Sequence, residues 1–259
     1  MNPHVTPTQT QAPARFASTL ILFQAESYRI LMVKRARQLA FFPNAWVFPG
    51  GRVDDDDALV ATTGQVAGLS HNRSAVAPLR ECFEEAGVWI GSGTPTSDLR
   101  QALNHRKASL KDHPELIANL SRLTLYSRWI TPISEPKRYD TYFFLAQLYE
   151  HELVSPQADQ SETVDSQWFS PKEAIELHQK GQMFLAPPTL ITLIELDRYT
   201  SFADILQEDR DVRPIVPIHK KDKETDLEII LPGHPLHHEK EPTLMFSRLQ
   251  LHRGVWRLD

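Results

Sequence analysis

Arg80-Glu81-Cys82-Phe83-Glu84-Glu85-Ala86-Gly87-Val88 packs three carboxylates and an arginine into one helical turn and a bit. Residues three and four apart share a helix face, so Glu81, Glu84 and Glu85 converge on one side. Like charges at that spacing repel by roughly 0.2–0.5 kcal/mol per pair, so the face calls for a neutralising cation. The compact choice is a hard divalent ion held by oxygen ligands, Mg²⁺ or Mn²⁺. Taken alone, an E-x-x-E-E run also describes an ordinary solvated helix face. Its flanks decide between the two.

Upstream, Trp46-Val47-Phe48-Pro49-Gly50-Gly51-Arg52-Val53 is a short apolar strand running into a Gly-Gly turn. Paired glycines let the backbone approach another group closely and offer carbonyls to a metal or amides to a phosphate. Downstream, Gly87 suits the left-handed residue that ends a helix.

Gly51 followed by Arg80-Glu81-Cys82-x-Glu84-Glu85-x-Gly87-Val88 resembles the Nudix box, G-x5-E-x7-R-E-U-x-E-E-x-G-U with U apolar. The second half fits at every defined position; the first half departs. The motif sets Gly and Arg 14 residues apart, whereas Gly51 and Arg80 stand 29 apart, an insertion of about 15 residues. Eight residues before Arg80, where the motif has its first glutamate, is Asn72; counting forward from Gly51, the same place falls on Asp57. That glutamate is therefore missing or replaced by an aspartate of the run Asp54 to Asp57. The run itself reads as a solvated loop or a helix start.

The resemblance implies an α/β/α sandwich with a mixed sheet, and hydrolysis of a diphosphate joined to another moiety. It implies that Glu84 and Glu85 are the principal metal ligands, with a carbonyl from Gly50 or Gly51. Glu81 would bind a further ion or orient the nucleophile, and Arg80 would position the glutamates. Glu162, about six residues ahead of Trp168, stands where several Nudix enzymes carry a further metal ligand or general base; Asp159 and Asp165 are rivals for the part. Lys34, Arg35, Arg37 and Arg52 are candidates for substrate phosphates. Lys137, Arg138, Tyr139 and Asp140 are candidates for the pocket wall.

The segments Leu31-Met32-Val33-Lys34-Arg35-x-Arg37, Thr131-Pro132, Glu135-Pro136-x-Arg138-x-Asp140-Thr141 and Pro187-Pro188-Thr189-Leu190 resemble the long-insert Nudix branch, which includes the peroxisomal coenzyme A diphosphatases. The signature of other coenzyme A hydrolases is only partly present: Arg35 fits, but Ala40 stands where a second arginine is expected and Asn44 where a glycine is. Coenzyme A or an acyl-coenzyme A is therefore the leading substrate. ADP-ribose, dinucleotides and capped RNA ends are alternatives, and a non-catalytic nucleotide-binding regulator is a third reading.

Composition bounds the rest. Of 259 residues, 41% are hydrophobic, ample for a packed core. A net charge of −5 gives no basic footprint for duplex nucleic acid. No apolar stretch approaches the ~20 residues that cross a bilayer. Residues 1–15, rich in Pro, Thr and Gln, read as a disordered tail and not a signal peptide. The one cysteine, Cys82, excludes an internal disulfide and fits a cytoplasmic protein. Its apolar position in the motif makes it a core residue.

Residues 16–205 are expected to form the catalytic domain, with an irregular surface insertion at about 54–73, and 206–259 a β-rich extension packed on it. Ala17–Phe23 and Tyr28–Lys34 read as a hairpin around Gln24-Ala25-Glu26-Ser27, and strands are predicted at 45–48, 123–131, 138–148 and 166–169. Helices are predicted over Ser74–Ala86, Thr96–Leu123, Pro171–Lys180 with Ser170 as cap, and Pro188–Tyr199. Pro78 suggests that the first of these begins nearer Val76. Trp129 reads as core, and His234, His237 and His238 as solvated imidazoles on a turn. The family resemblance leaves a homodimer open.

Overall fold

Strands buried on both faces read as unbroken apolar runs, and Leu20-Ile21-Leu22-Phe23 is one. In the computed structural model Leu20 and Leu22 face one core while Ile21 and Phe23 face another. Ile30 and Met32 divide from Leu31 and Val33 in the same way, as do Phe143 and Leu145 from Phe144 and Ala146. Two cores on a two-residue period mean a sheet covered on both sides.

The structure describes residues 13–39, 42–69, 71–152, 154–220 and 227–258, so most of the expected tail lies outside the described residues. In chain order the elements are β1 (Arg15–Gln24), β2 (Ile30–Arg35), β3 (Trp46–Val47), β4 (Gly50–Arg52), β5 (Thr62–Thr63), α1 (Arg73–Ala86), β6 (Gly91–Ser92), α2 (Ser97–Asn104), β7 (Ile117–Asn119), β8 (Thr124–Ile130), β9 (Tyr139–Leu148), β10 (Thr163–Phe169), α3 (Pro171–Gln179), α4 (Pro187–Leu196), α5 (Phe202–Leu206), β11 (Pro214–Ile215), β12 (Ile218–Lys220), β13 (Leu227–Ile230), β14 (Arg248–His252) and β15 (Val255–Leu258).

The central sheet runs β10-β2-β1-β9-β8-β11, with β3 added to β2 and β4 to β1. It is mixed: β1 runs parallel to β9 along ten residue pairs, while β10 and β2 are antiparallel. Helices α1 and α2 cover one face, and α3 and α4 the other. The expected α/β/α sandwich is the observed one. A small sheet, β5-β7-β6, sits on the α1 side. A four-stranded antiparallel sheet, β12 to β15, places Ile229, Leu249 and Trp256 in the core with α3 and α4.

Several local expectations need correction. The hairpin is short: β1 and β2 pair at Phe23 and Ile30, after which β4 takes the start of β1 and β3 and β10 take β2. Helix α1 starts at Arg73, not near Val76, because the carbonyl of Asn72 accepts from both Ala75 and Val76. Pro78 is thus inside the helix and removes one ladder bond. The long helix over Thr96–Leu123 does not form. Helix α2 ends at Asn104, Arg106 turns left-handed (φ 56°), and the chain continues as a 3-10 turn at Leu110–Asp112 before β7. Strand β10 begins three residues earlier than expected. His237 is not solvated: it is buried, and its Nε2 sits 2.9 Å from the Val216 carbonyl.

Candidate active site

Helix α1 carries its acidic face toward β4. The αL residue Gly87 (φ 75°) closes the helix, its N–H donating to the Phe83 carbonyl at 2.9 Å. The Glu84 carbonyl at that end is taken by two side chains that the sequence did not single out: Arg100 Nε at 3.0 Å and Asn104 Nδ2 at 3.2 Å. Both come from α2, so this short helix is registered on the acidic face. Only the fold brings these partners to Glu84.

Arg80 is the hub. Its Nε and Nη2 donate to the two Asp57 oxygens at 2.7 and 3.1 Å, and Nη1 donates to Glu81 at 3.0 Å and Glu84 at 3.2 Å. Nη2 also reaches the Arg52 carbonyl at 2.9 Å. A planar guanidinium with fixed donors can hold this many acceptors at once; an ammonium could not. Asp57 is 1% exposed, which corrects the reading of Asp54 to Asp57 as a solvated run. It also corrects the view of 54–73 as a mere surface insertion. Asp54 and Asp57 open a 3-10 turn, with the Asp54 N–H donating to Asp57 Oδ2 at 2.8 Å. The signal was in the spacing, six residues after Gly51.

The Gly-Gly turn lies against the glutamates. Gly50 N–H donates to Glu85 Oε2 at 3.0 Å. A Cβ on Gly51 would stand 2.5 Å from Glu81 Oε1, and one on Gly50 would stand 2.5 Å from the Ser18 carbonyl. Close approach is what both glycines supply here.

Electrostatics follow from burial. The Glu81 carboxyl is pushed up to about 7, by burial first and by Glu84 and Glu162 besides, against the pull of Arg80. Burial also raises Glu84, with Arg80 opposing and Asp57 and Asp54 adding to the rise. Glu85 is held well above the usual carboxylate range by burial and by Glu81, against the Gly50 amide and Arg35. Arg80 is held fully charged: burial alone would weaken its proton, but Glu81, Asp57 and Glu84 outweigh it.

These groups line one cavity of about 400 Å³, and Glu162 faces it from the loop before β10. Of its rivals, Asp165 is not in the cavity wall. Asp159 is, but its carboxylate is occupied by its own loop, accepting from Thr163 N at 2.7 Å and Glu162 N at 3.2 Å. The Glu162 carboxylate has no such partner among the described residues. Of the basic candidates Arg52 lines the cavity, whereas Lys34, Arg35 and Arg37 do not. Arg35 reaches the site through its field at Glu85. Asp140 is paired with Arg128 at 2.6 Å, Trp129 is core, and Cys82 is buried with its thiol pushed up by burial. The remaining wall comes from α2 and the turn beyond it: Leu103, Arg106, Ser109 and Leu110.

The donor set is all oxygen and rich in carboxylates, with Glu85 buried, Glu81 and Glu84 partly buried and Glu162 exposed, which fits a hard divalent ion. Among the described residues no three acidic or histidine side chains converge on one point as they stand, so the carboxylates would have to close around an ion.

This fold is shared. A crystal structure of a Nudix hydrolase from Alicyclobacillus acidocaldarius superposes with a TM-score of 0.65 at 24% identity, covering 76% of this chain and 96% of that one. A profile of the NUDT19 Nudix domain matches residues 73–196. A putative nudix hydrolase 7 from Caenorhabditis elegans is 31% identical over 211 residues, 78% of this chain and 67% of its own length. The chain belongs to the Nudix hydrolase family. Another Nudix relative, the human acyl-coenzyme A diphosphatase NUDT19, is 27% identical over 241 residues, 70% of this chain and 64% of its own length. The chain thus spans about two thirds of the length of these relatives. Among the described residues no helix is long and apolar enough to cross a membrane.

Proposed function

We propose that the chain is a Mg²⁺- or Mn²⁺-dependent hydrolase of the diphosphate link in a nucleoside diphosphate derivative, with coenzyme A or an acyl-coenzyme A as substrate. The observation that carries this is the meeting of Glu81, Glu84, Glu85 and Glu162 in one cavity against the Gly50-Gly51 turn. Carboxyls crowded so closely that each raises its neighbour's proton affinity are short of a cation. Resemblance to acyl-coenzyme A diphosphatases supports the choice of substrate.

Glu81, Glu84, Glu85 and Glu162, with a carbonyl of Gly50 or Gly51, would hold the metal. A bound divalent ion supplies charge neutralisation at the diphosphate and a lowered pKa for water. The chain does the rest. Arg80, clamped by Asp57, sets the orientation of Glu81 and Glu84 before substrate arrives. Glu162, whose carboxylate has no hydrogen-bonding partner among the described residues, would take the proton of the attacking water, with Glu81 as the alternative base. Arg52 and Arg106 are the cations on the cavity wall, besides Arg80, that would meet a phosphate oxygen.

A panel of coenzyme A, acyl-coenzyme A, ADP-ribose, dinucleotides and capped RNA, incubated with Mg²⁺ or Mn²⁺ and read by mass, tests the reading. Coenzyme A substrates should give 3′,5′-ADP and a 4′-phosphopantetheine, with turnover at least about tenfold lower in Glu84→Gln. No product from any of these substrates, or full turnover in the variant, would sink it.

A further inference from the structure

A second cavity, of about 300 Å³, opens beside the acidic one and shares Arg52, Asp54 and Asp55 with it. Its other principal walls are Arg15, Phe16 and Arg73. We propose that this basic pocket is the subsite for a phosphomonoester on the ribose of the substrate. The class implied is a nucleoside diphosphate derivative that carries a third phosphate outside its diphosphate link. This rests on the diphosphatase reading and narrows its substrate.

The two cavities differ in sign. In the acidic one the guanidinium of Arg80 is fully engaged by Asp57, Glu81 and Glu84, so carboxylates dominate and a bare phosphate is repelled. In the second, three guanidiniums meet two aspartates, and the pairs they form are weak. Arg15 has no ion pair among the described residues, although its backbone is fixed, its N–H donating to the Arg138 carbonyl at 2.9 Å. Arg73 lies 3.7 Å from Asp55, whose side chain is fully exposed, so that pair contributes little. Arg52 meets Asp54 at 3.0 Å, again at the surface.

The pocket is also built to hold its cations in place. The Arg73 guanidinium sits 5.4 Å over the Phe16 ring, which orients it without neutralising it. Arg52 follows Gly51 directly on β4, and its carbonyl is tied to Arg80. With its diphosphate by Gly51 and Glu81, a nucleotide running along β4 toward the second cavity would bring its ribose beside Arg52. Forked guanidiniums there match the oxygens of a phosphate.

Calorimetric titration of EDTA-treated protein with adenosine 3′,5′-bisphosphate, adenosine 2′,5′-bisphosphate and 5′-AMP reads this subsite without any turnover. One bisphosphate should bind about tenfold more tightly than 5′-AMP, and the 3′ and 2′ arms report which ribose position is read. The preference should shrink to within about twofold in Arg15→Ala/Arg73→Ala. Arg15→Ala alone, at an exposed strand end, should reduce it partway and serves if the double variant does not fold. Equal affinity for all three ligands, no measurable binding of either bisphosphate, or an undiminished preference in the variants overturns the subsite. Absent hydrolysis with the preference intact would instead count against the diphosphatase reading and leave the subsite standing.

Discussion

Arg80 and Asp57 form a two-pronged ion pair at 2.7 and 3.1 Å, with the side chains 9% and 1% exposed. They are 23 residues apart, and the inserted segment between them leaves the pair intact. Removing one partner of a buried pair strands the other charge, at a cost of about 3–5 kcal/mol. Arg80 keeps Glu81 and Glu84, so Asp57→Asn should fall near the low end. We expect a melting temperature lower by roughly 6–12 °C. Turnover should fall as well, because Arg80 is then free to drag both glutamates. Unaltered melting in Asp57→Asn would show that the pair contributes nothing to the fold.

The two glycines of β4 make opposite predictions. A Cβ on Gly50 meets main chain, at 2.5 Å from the Ser18 carbonyl and 2.7 Å from Thr19 Cα, and the central sheet cannot yield cheaply. Gly50→Ala should lower stability by about 1–3 kcal/mol. A Cβ on Gly51 meets only the end of the Glu81 side chain, at 2.5 to 2.8 Å. Gly51→Ala should therefore fold almost as well as the natural chain yet lose at least about tenfold in turnover, since the carboxylate must swing away. Thermal melts and rates on the two variants separate them. Equal loss of stability in both would contradict this account.

How legible the molecule was depends on the range of each interaction. The α1 face announced itself because Arg80, Glu81, Glu84 and Glu85 interact within one helix, and Ser170 signalled the start of α3 as a local cap, to which the structure adds Glu173. Layering was legible through the family resemblance, whereas the division of Leu20 to Phe23 between two cores emerged only in the fold. What failed was set by partners distant in sequence. Leu103, Leu110 and Leu116 suggest one helix, yet they pack from α2, from the 3-10 turn at Leu110–Asp112 and from the residue before β7, and Pro114 and the left turn at Arg106 break the period. Asp57 carried the right spacing, but a carboxylate's burial depends on where its guanidinium lies. Arg100 and Asn104 gave no sign that they would cap Glu84.

Carboxylate crowding yields a prediction about charge. Without metal, Glu81, Glu84, Glu85 and Glu162 oppose one another in a partly desolvated cavity. Neutralising one should help. In EDTA at alkaline pH, where the Glu85 carboxyl is ionised, Glu85→Gln should raise the melting temperature, since its amide oxygen can still accept from Gly50 while the charge is gone. Added Mg²⁺ should stabilise the natural chain by RT ln(1 + [L]/Kd) and the variant much less. Scanning fluorimetry with and without Mg²⁺ is sufficient. Equal stabilisation of both by Mg²⁺ would remove Glu85 from the ligand set.

His178 provides a pH test away from the carboxylates. It is 1% exposed, with Nδ1 2.9 Å from the Met183 carbonyl and Nε2 3.0 Å from Trp256 N–H, joining α3 to β15. Nε2 must accept from that amide, so the ring is neutral with its proton on Nδ1, and burial lowers its proton affinity. A lowered pKa in the folded state means that the unfolded chain binds the extra proton first. Its contribution to stability is therefore complete above the ordinary histidine value of about 6.5 and is lost as pH falls below it, at up to about 1.4 kcal/mol per pH unit. Denaturant melts between pH 7.5 and 5 should show His178→Gln losing less stability over this range than the natural chain. The same slope in both proteins would mean that the imidazole takes up its proton without breaking the link to Trp256.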